Sequence, residues 1–529
     1  MKIIIKSKTR RFYGNVLFFM SRIFGFRLIF FLFVFFTTAS YIVHAQQATN
    51  ENMIKVEILN ADRAVNKASL GRTDMFGNVA FKHDSVTLSC DSAYFYDVHN
   101  SFEAFGNAHL RFSDTLNLYS ERINYSGNLR IAKATKNVIL QDNTKTLYTD
   151  TLDYYRDFNY GYYPNHGRII DDENTLLSIH GFYYTKLKEI HFQDSVVLFN
   201  EENKLLSDTL VYFTDTKVAK IVGPTHIYGK NGRYMYCELG WYNTLNDDSD
   251  VQKNIYATED DRITKCQRAT YDSKTQIGRF YDRIEMIDTT QNVIIKGEYG
   301  EYHRSRYFGF LVDSAMAIIV DDRHDSLFMH ADTLFMRMDT TNSITHLLAY
   351  HKTKFFKSDL QGACDSIAFV MADSTMRMYT MPILWAEKSQ LTSDSIYFFM
   401  HDNSIDSILF YGNGFIISSD TTDTYNQVKG RLVTAYFVEN EIKKIVVNGN
   451  AESLYYIRDD DKELIGIDKA VAAMLYIMIE DNEFKSVTYI NGATAVTYPE
   501  KEIAKPDLKL KGFKLQTHRK PLSKEDIFK

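Results

Sequence analysis

Proline, cysteine and tryptophan are what this 529-residue chain has least of: six, four and two respectively. Scarce proline suits long uninterrupted strands, because a proline inside a sheet deletes a ladder hydrogen bond. A basic excess is lacking too, with 61 Lys and Arg against 67 Asp and Glu for a net charge of −6, and no zinc-ligand spacing occurs. That combination argues against a nucleic-acid partner. No nucleophile elbow and no metal-binding helix motif is present, which removes the familiar signatures of hydrolases and metalloenzymes. Convincing helical periodicity is absent after the N-terminal region. The most helix-like piece, Asp468 to Ile479, falls in register with a β repeat and is read as strand.

What the chain does have is tyrosine and phenylalanine, 36 and 37 residues, the composition of a β-rich body. Their spacing is repetitive. In Ser101 to Asn128, Phe102, Ala104, Ala108, Leu110 and Phe112 alternate with polar residues, the period of a strand with one buried face. After a turn at 113–115, Leu116, Leu118 and Ser120 share one face, but the apolar set resumes at Ile123 and Tyr125. Side-chain parity therefore flips across Glu121, which requires a bulge or corner.

The second half-unit recurs as apolar, x, small, acid, x, apolar, x, aromatic or apolar. Leu147-Thr149-Asp150-Leu152-Tyr154 and Leu205-Ser207-Asp208-Leu210-Tyr212 are clear copies. Further copies run to Ile467-Asp468-Ala470, making about thirteen units of roughly 30 to 38 residues between 71 and 500, the signature of a stacked repeat. Glycine or proline punctuates many first strands midway, at Gly77-Asn78, Gly106-Asn107, Gly223-Pro224, Gly412-Asn413, Gly449-Asn450 and Asn491-Gly492, with Pro164 and Pro382 near the same phase. Each unit is thus expected to be two long strands, each bent once. The fold class is all-β, an elongated repeat of bent antiparallel strands whose two facing sheets form a trough with an apolar inside. About 26 such strands would extend roughly 125 Å.

The paired motifs Gly77-Asn78-Val79 with Cys90-Asp91-Ser92-Ala93, and Gly106-Asn107-Ala108 with Ser120-Glu121-Arg122-Ile123, together with Ser207-Asp208-Thr209-Leu210, resemble the OstA-like family, the organic solvent tolerance N-terminal type. The resemblance covers most of the chain and is closest over 70–260. It implies a β-taco (open jelly-roll) fold that holds the acyl chains of lipopolysaccharide. It also implies stacking, edge strand to edge strand, on homologous β-taco domains of inner- and outer-membrane transport proteins. The chain has several times as many units as the compact periplasmic bridge of that family. It has neither a large C-terminal barrel nor the strand-ending aromatic signal of one.

An open apolar trough would take acyl chains without a dedicated pocket, each buried methylene contributing about 0.8 kcal/mol. The candidate groove residues are Phe102, Ala104, Ala108, Leu110, Leu118, Ile123, Leu147, Leu152, Leu205 and Leu210. Small inward residues, Ala93, Ala104, Ala108, Gly240 and Gly300, are expected to leave room. The alternative is that all of these simply pack a closed core, giving an elongated scaffold or adhesin. The acids recurring at one phase, among them Asp91, Glu121, Asp150, Asp208, Glu238, Glu298, Asp332, Asp365, Asp394 and Asp468, are expected to cap corners. A glycan-cleaving β-helix would also cluster carboxylates, but catalysis needs one unrepeated constellation. No catalytic residue, cofactor or metal site is assigned. Cys90, Cys237, Cys266 and Cys364 share the small slot before the corner. Strand spacing puts successive slots about 9.6 Å apart, beyond disulfide reach, so the thiols are expected to stay reduced.

Residues 1–45 read as a signal peptide: basic residues precede an apolar run from Leu28 to Phe36, and Val43-His44-Ala45 forms the cleavage site. A start at Met20 would leave a signal of ordinary length. An uncleaved anchor is the rival, but Leu28 to Val43 is shorter than the ~20 residues a spanning helix needs. Export follows, and the resemblance implies the periplasm of a Gram-negative envelope, with association to the outer membrane. Residues 46–70 are a polar lead-in. Residues 501–529 are a basic, proline-containing tail, expected either to be disordered or to dock on anionic headgroups or a partner.

Overall fold

The computed structural model describes residues 54–529, apart from 144, 321–324, 342, 402–403, 422, 440, 460, 462, 481–482 and 500. The signal segment, Met20, the cleavage site and the first part of the lead-in lie outside the described residues. Every regular element among the described residues is a β-strand or a single 3-10 turn. Asp468 to Ile479 lies inside the strand Leu464–Glu480, as its register required. Two compact units divide the chain, one ending at Lys133 and the other spanning Ala134–Lys529.

In the first unit, Arg72–His83, Val86–Tyr96, Ser101–Arg111 and Leu116–Ser126 pair antiparallel in chain order. Between Ser101–Arg111 and Leu116–Ser126 the ladder jumps from Phe105↔Arg122 to Ala108↔Ser120, leaving Gly106 and Asn107 opposite Glu121 alone. This is the parity flip read from the sequence. Both extra residues are left-handed, with φ of 73° and 42°. A side chain at Gly106 would be strained by that φ, and its Cβ would lie 2.4 Å from Asp91 Oδ2. Asn107 tolerates the conformation, and its Nδ2 donates to the same Asp91 oxygen at 2.9 Å. The recurring acid is thus the cap of the neighbouring bend.

The second unit repeats the device. Gly412-Asn413 and Gly449-Asn450 are left-handed pairs, but so are Lys136-Asn137, Asp194-Ser195, Lys253-Asn254 and Asp282-Arg283, where neither glycine nor proline marks the spot. Caps recur with them: Asn254 Nδ2 donates to Glu238 at 2.7 Å, the Arg283 amide to Glu298 at 2.8 Å and Asn413 Nδ2 to Asp394 at 3.0 Å. Each bent strand therefore has two limbs. The limb containing Phe102 and Ala104, with its counterparts along the repeat, is called limb one; the limb containing Ala108 and Leu110 is limb two.

The described tail is ordered and lies as a strap on the outer face of limb two. Gln427 and Gln390, both buried, hold its backbone like forks. Gln427 Nε2 donates to the Leu508 carbonyl and its Oε1 accepts from the Leu510 amide, each at 2.8 Å. Gln390 does the same to Lys514 and Gln516, at 2.8 and 2.7 Å. Leu510 is buried against Phe415, Ile417, Leu454, Tyr456 and Ile467. At the far end Ile527 is buried, and the Phe528 ring sits 4.5 Å from that of His330. With the interior on one side and the strap on the other, these limb-two strands are covered on both faces, which is why Ile383-Leu384-Trp385 and Phe415-Ile416-Ile417 are apolar without alternation.

Candidate functional site

The space between the limbs is built differently in different stretches. All ten candidate groove residues, from Phe102 to Leu210, point inward and are at most 2% exposed, so their side chains are enclosed by protein. In the first unit Phe81 stacks on Phe102 with ring centres 4.5 Å apart, and Tyr125 closes the open side by hydrogen bonding His83 Nδ1 at 2.7 Å. In the second unit small and large residues interlock. Tyr163 fills space left by Gly167 and Gly181, where a Cβ would fall 2.4 and 2.1 Å from its ring and hydroxyl.

Tyrosines near the ends of limb one latch onto polar groups at the ends of limb two. Tyr183 donates to Asp142 at 2.5 Å, Tyr212 to the fully buried Asp171 at 3.0 Å, and Asn203 Nδ2 donates to Tyr242 at 2.7 Å. Lys217 neutralises Asp171 at 2.6 Å. Burial, and after it the adjacent carboxylate, pushes the Tyr183 hydroxyl far above the usual tyrosine range; burial and Asp171 do the same to Tyr212. These latches close the mouth over a filled interior.

Beyond Tyr242 the construction changes. The next positions in the tyrosine row are Tyr271, Tyr302 and Met336, while the limb-two ends facing the first two carry Arg233 and Arg262. Inward positions are small or unbranched: Ala257, Thr264, Ala269, Gly278, Met286. The limbs here enclose a cavity of about 390 Å³, within the ordinary range of roughly 300–1,000 Å³ for small-molecule sites. Ile227, Met235, Ile255, Ile263, Phe280, Met286, Ile295 and Ile344 supply apolar wall; its charged lining residues are Arg233, Arg262 and Arg304 with Asp247, Glu259, Asp288 and Glu301. None of the ten sequence-chosen positions lines it. Gly300, expected to leave room, lies on the inner face of this stretch beside Tyr302, whereas Ala93, Ala104 and Ala108 sit in filled rungs. A second, smaller cavity of about 220 Å³ lies between Ile416, Ser453, Leu475, Ile477 and Tyr489.

Among the recurring acids, Asp91, Glu238, Glu298 and Asp394 are engaged at bends, and no group of three or more His, Cys, Asp or Glu able to hold a metal occurs among the described residues. The four cysteines are free thiols and buried; burial pushes Cys90 up to about 11 and Cys237, Cys266 and Cys364 to about 12.

Fold and interior together define an all-β repeat of bent antiparallel strands enclosing apolar space. Residues 51–208 match the family model described as OstA-like protein, so the resemblance read from the sequence holds there; the larger cavity lies downstream of the matched segment. A similar solved structure is the crystal structure of LptH, the LptA homologous periplasmic component of the conserved lipopolysaccharide transport device from Pseudomonas aeruginosa. It is 10% identical, and the match covers 30% of this chain and 77% of that one with a TM-score of 0.09, a value too low to bear on shape. No curated protein matches the chain.

Proposed function

We propose that this chain is an exported, non-enzymatic, periplasmic lipid-binding protein that carries lipopolysaccharide between inner and outer membrane through its apolar interior and so helps outer-membrane assembly. The larger cavity is the observation that carries the reading. It is an apolar space inside a repeat whose first part matches the OstA-like family, and arginines 233, 262 and 304 stand where a phosphorylated headgroup would lie. Transfer of acyl chains into it is driven by burial, about 0.8 kcal/mol per methylene. The ten groove candidates upstream would serve only when their filled stretches open. Partners would add at the edge: Thr494–Tyr498 pairs only with Leu464–Glu480 among the described residues, and its first four side chains are exposed. That edge suits homologous β-taco domains or a second copy.

The scaffold or adhesin reading draws on the filled interior between Phe102 and Leu210, and one experiment separates the two. Lipids that co-purify with the native protein are identified by mass spectrometry for the natural chain and for Ala257→Phe, which places a ring in the cavity. Co-purifying lipopolysaccharide that Ala257→Phe abolishes is the expected result. A natural chain that carries no lipid would replace transport with the scaffold, and lipid retained in full by Ala257→Phe would move the site elsewhere.

A further inference from the structure

Residues 501–529 carry nine basic and four acidic side chains, a net of +5 in a chain whose total is −6. A basic terminus is ordinarily a solvated tail. Here the strap spends its apolar and backbone groups on the sheet, through Leu510, Pro521, Ile527 and the two glutamine forks. What remains exposed is a line of lysines: Lys505, Lys511 and Lys514, then Lys524, whose Nζ lies 5.6 Å from the Phe328 ring centre, and Lys529, which pairs with Asp526, with Leu522 beside them 76% exposed. Elsewhere basic side chains are commonly paired across strands, as Arg268 with Asp250 or Lys265 with Glu285. Among the described residues Lys505, Lys511, Lys514, Lys520 and Lys524 have no carboxylate within ion-pair distance. An unneutralised row of cations held on a rigid sheet has already met the ordering cost that a flexible tail would meet on binding.

We infer that the C-terminal strap is an electrostatic foot that seats the outer face of limb two on an anionic lipid headgroup surface. The recognised chemistry is the headgroup phosphate, and the ammonium groups act as point charges with no fixed geometry demanded of the lipid. Each lysine brought to such a surface strengthens partition about fivefold, and the attraction falls with salt. The foot goes beyond the cavity reading and rests on it only for an envelope location: the cavity takes single lipid molecules, whereas the foot would hold the protein on a bilayer.

The test is co-sedimentation of the full chain with vesicles of phosphatidylglycerol mixed into phosphatidylcholine, against pure phosphatidylcholine. The triple variant Lys511→Glu/Lys514→Glu/Lys524→Glu is compared on the same chain, so that the apolar N-terminal segment contributes equally. All three side chains are exposed, and an unchanged thermal melt verifies the fold. The expected result is binding to the anionic vesicles that weakens at least tenfold in the variant and with added salt, and is not competed by millimolar inorganic phosphate. Equal binding to both vesicle types, or a variant that binds as well as the natural chain, overturns the foot. Competition by inorganic phosphate would instead assign the strap to free anions. Lipid uptake by the cavity, read from co-purifying lipid, should be unaffected by the triple variant, so either reading can fail alone.

Discussion

Two stretches of the second unit share a backbone plan and differ in what fills it. From about 138 to 242, leucines, Phe192 and Tyr163 pack the interior and tyrosine latches tie the limbs; from about 249 to 344, alanine, threonine, glycine and methionine leave a cavity between limbs. Strand spacing is set by backbone hydrogen bonding and cannot contract around small residues. Interior volume is therefore decided rung by rung, by side-chain size alone. The largest consequence is in stability. Phe192→Ala should cost about 3–5 kcal/mol, because the rungs above and below cannot close the hole, while Met286→Ala, which enlarges a space already present, should cost under about 1 kcal/mol. Amide hydrogen exchange in the flanking strands reads the difference, and equal losses would show that the cavity is packed as tightly as the filled stretch.

The latches give the next effect. Tyr212→Phe removes a donor from Asp171, a carboxylate with no solvent access, and should cost about 1–3 kcal/mol. Tyr271→Phe, at the partly exposed equivalent position, should cost a few tenths. If the two substitutions were equally harmful, the mouth would be tied along both stretches.

Alkaline pH provides a reversible version of the same contrast. Tyr183, Tyr212 and Tyr242 all have folded-state pKa values raised above the ordinary 10, by burial first and by the neighbouring carboxylate with it. The folded state thus holds protons that the unfolded chain releases. The stability tied to these hydroxyls is whole below pH 10 and drains away as the pH climbs above it. Exchange protection should accordingly fall first between about 142 and 242 when pH is raised past 10, with the stretch around the cavity less affected. Loss in the reverse order would mean that the tyrosines do not hold the mouth shut.

Much of this architecture was legible in the residues. Period-two alternation gave the strands, and the parity flip at Glu121 located a true ladder discontinuity. Bends at Lys136-Asn137 and Lys253-Asn254 escaped notice because asparagine reaches left-handed backbone without glycine; an asparagine following the recurring acid at a spacing of about 16 was the usable signal. The cavity escaped notice for a different reason. Ala104 and Ala108 are small, but a small residue makes space only if nothing large faces it across the trough, and facing partners belong to the other limb. The strap was hidden likewise, although Ile383-Leu384-Trp385 and Phe415-Ile416-Ile417, apolar on both faces, announced a cover that the repeat itself does not supply.

The smallest expected difference lies in two thiols. Cys237 and Cys266 occupy the same phase of successive units, are at most 2% exposed, and are both pushed up to about 12 by burial. Their intrinsic chemistry is matched, so any difference in reaction with a thiol reagent reports how often each site opens. Cys237 borders the latched stretch on one side, whereas the strand of Cys266, Arg262–Asp272, contributes Thr264, Ala269 and Tyr271 to the cavity wall and has fewer interior contacts to break. Both should label far more slowly than in denaturant, with Cys266 several-fold ahead of Cys237 in the native protein. Lipid in the cavity should narrow that gap by supplying the missing contacts. Identical rates with and without lipid would mean that the cavity does not loosen the strands around it, and the distinction between the two stretches would then be one of volume without any consequence for motion.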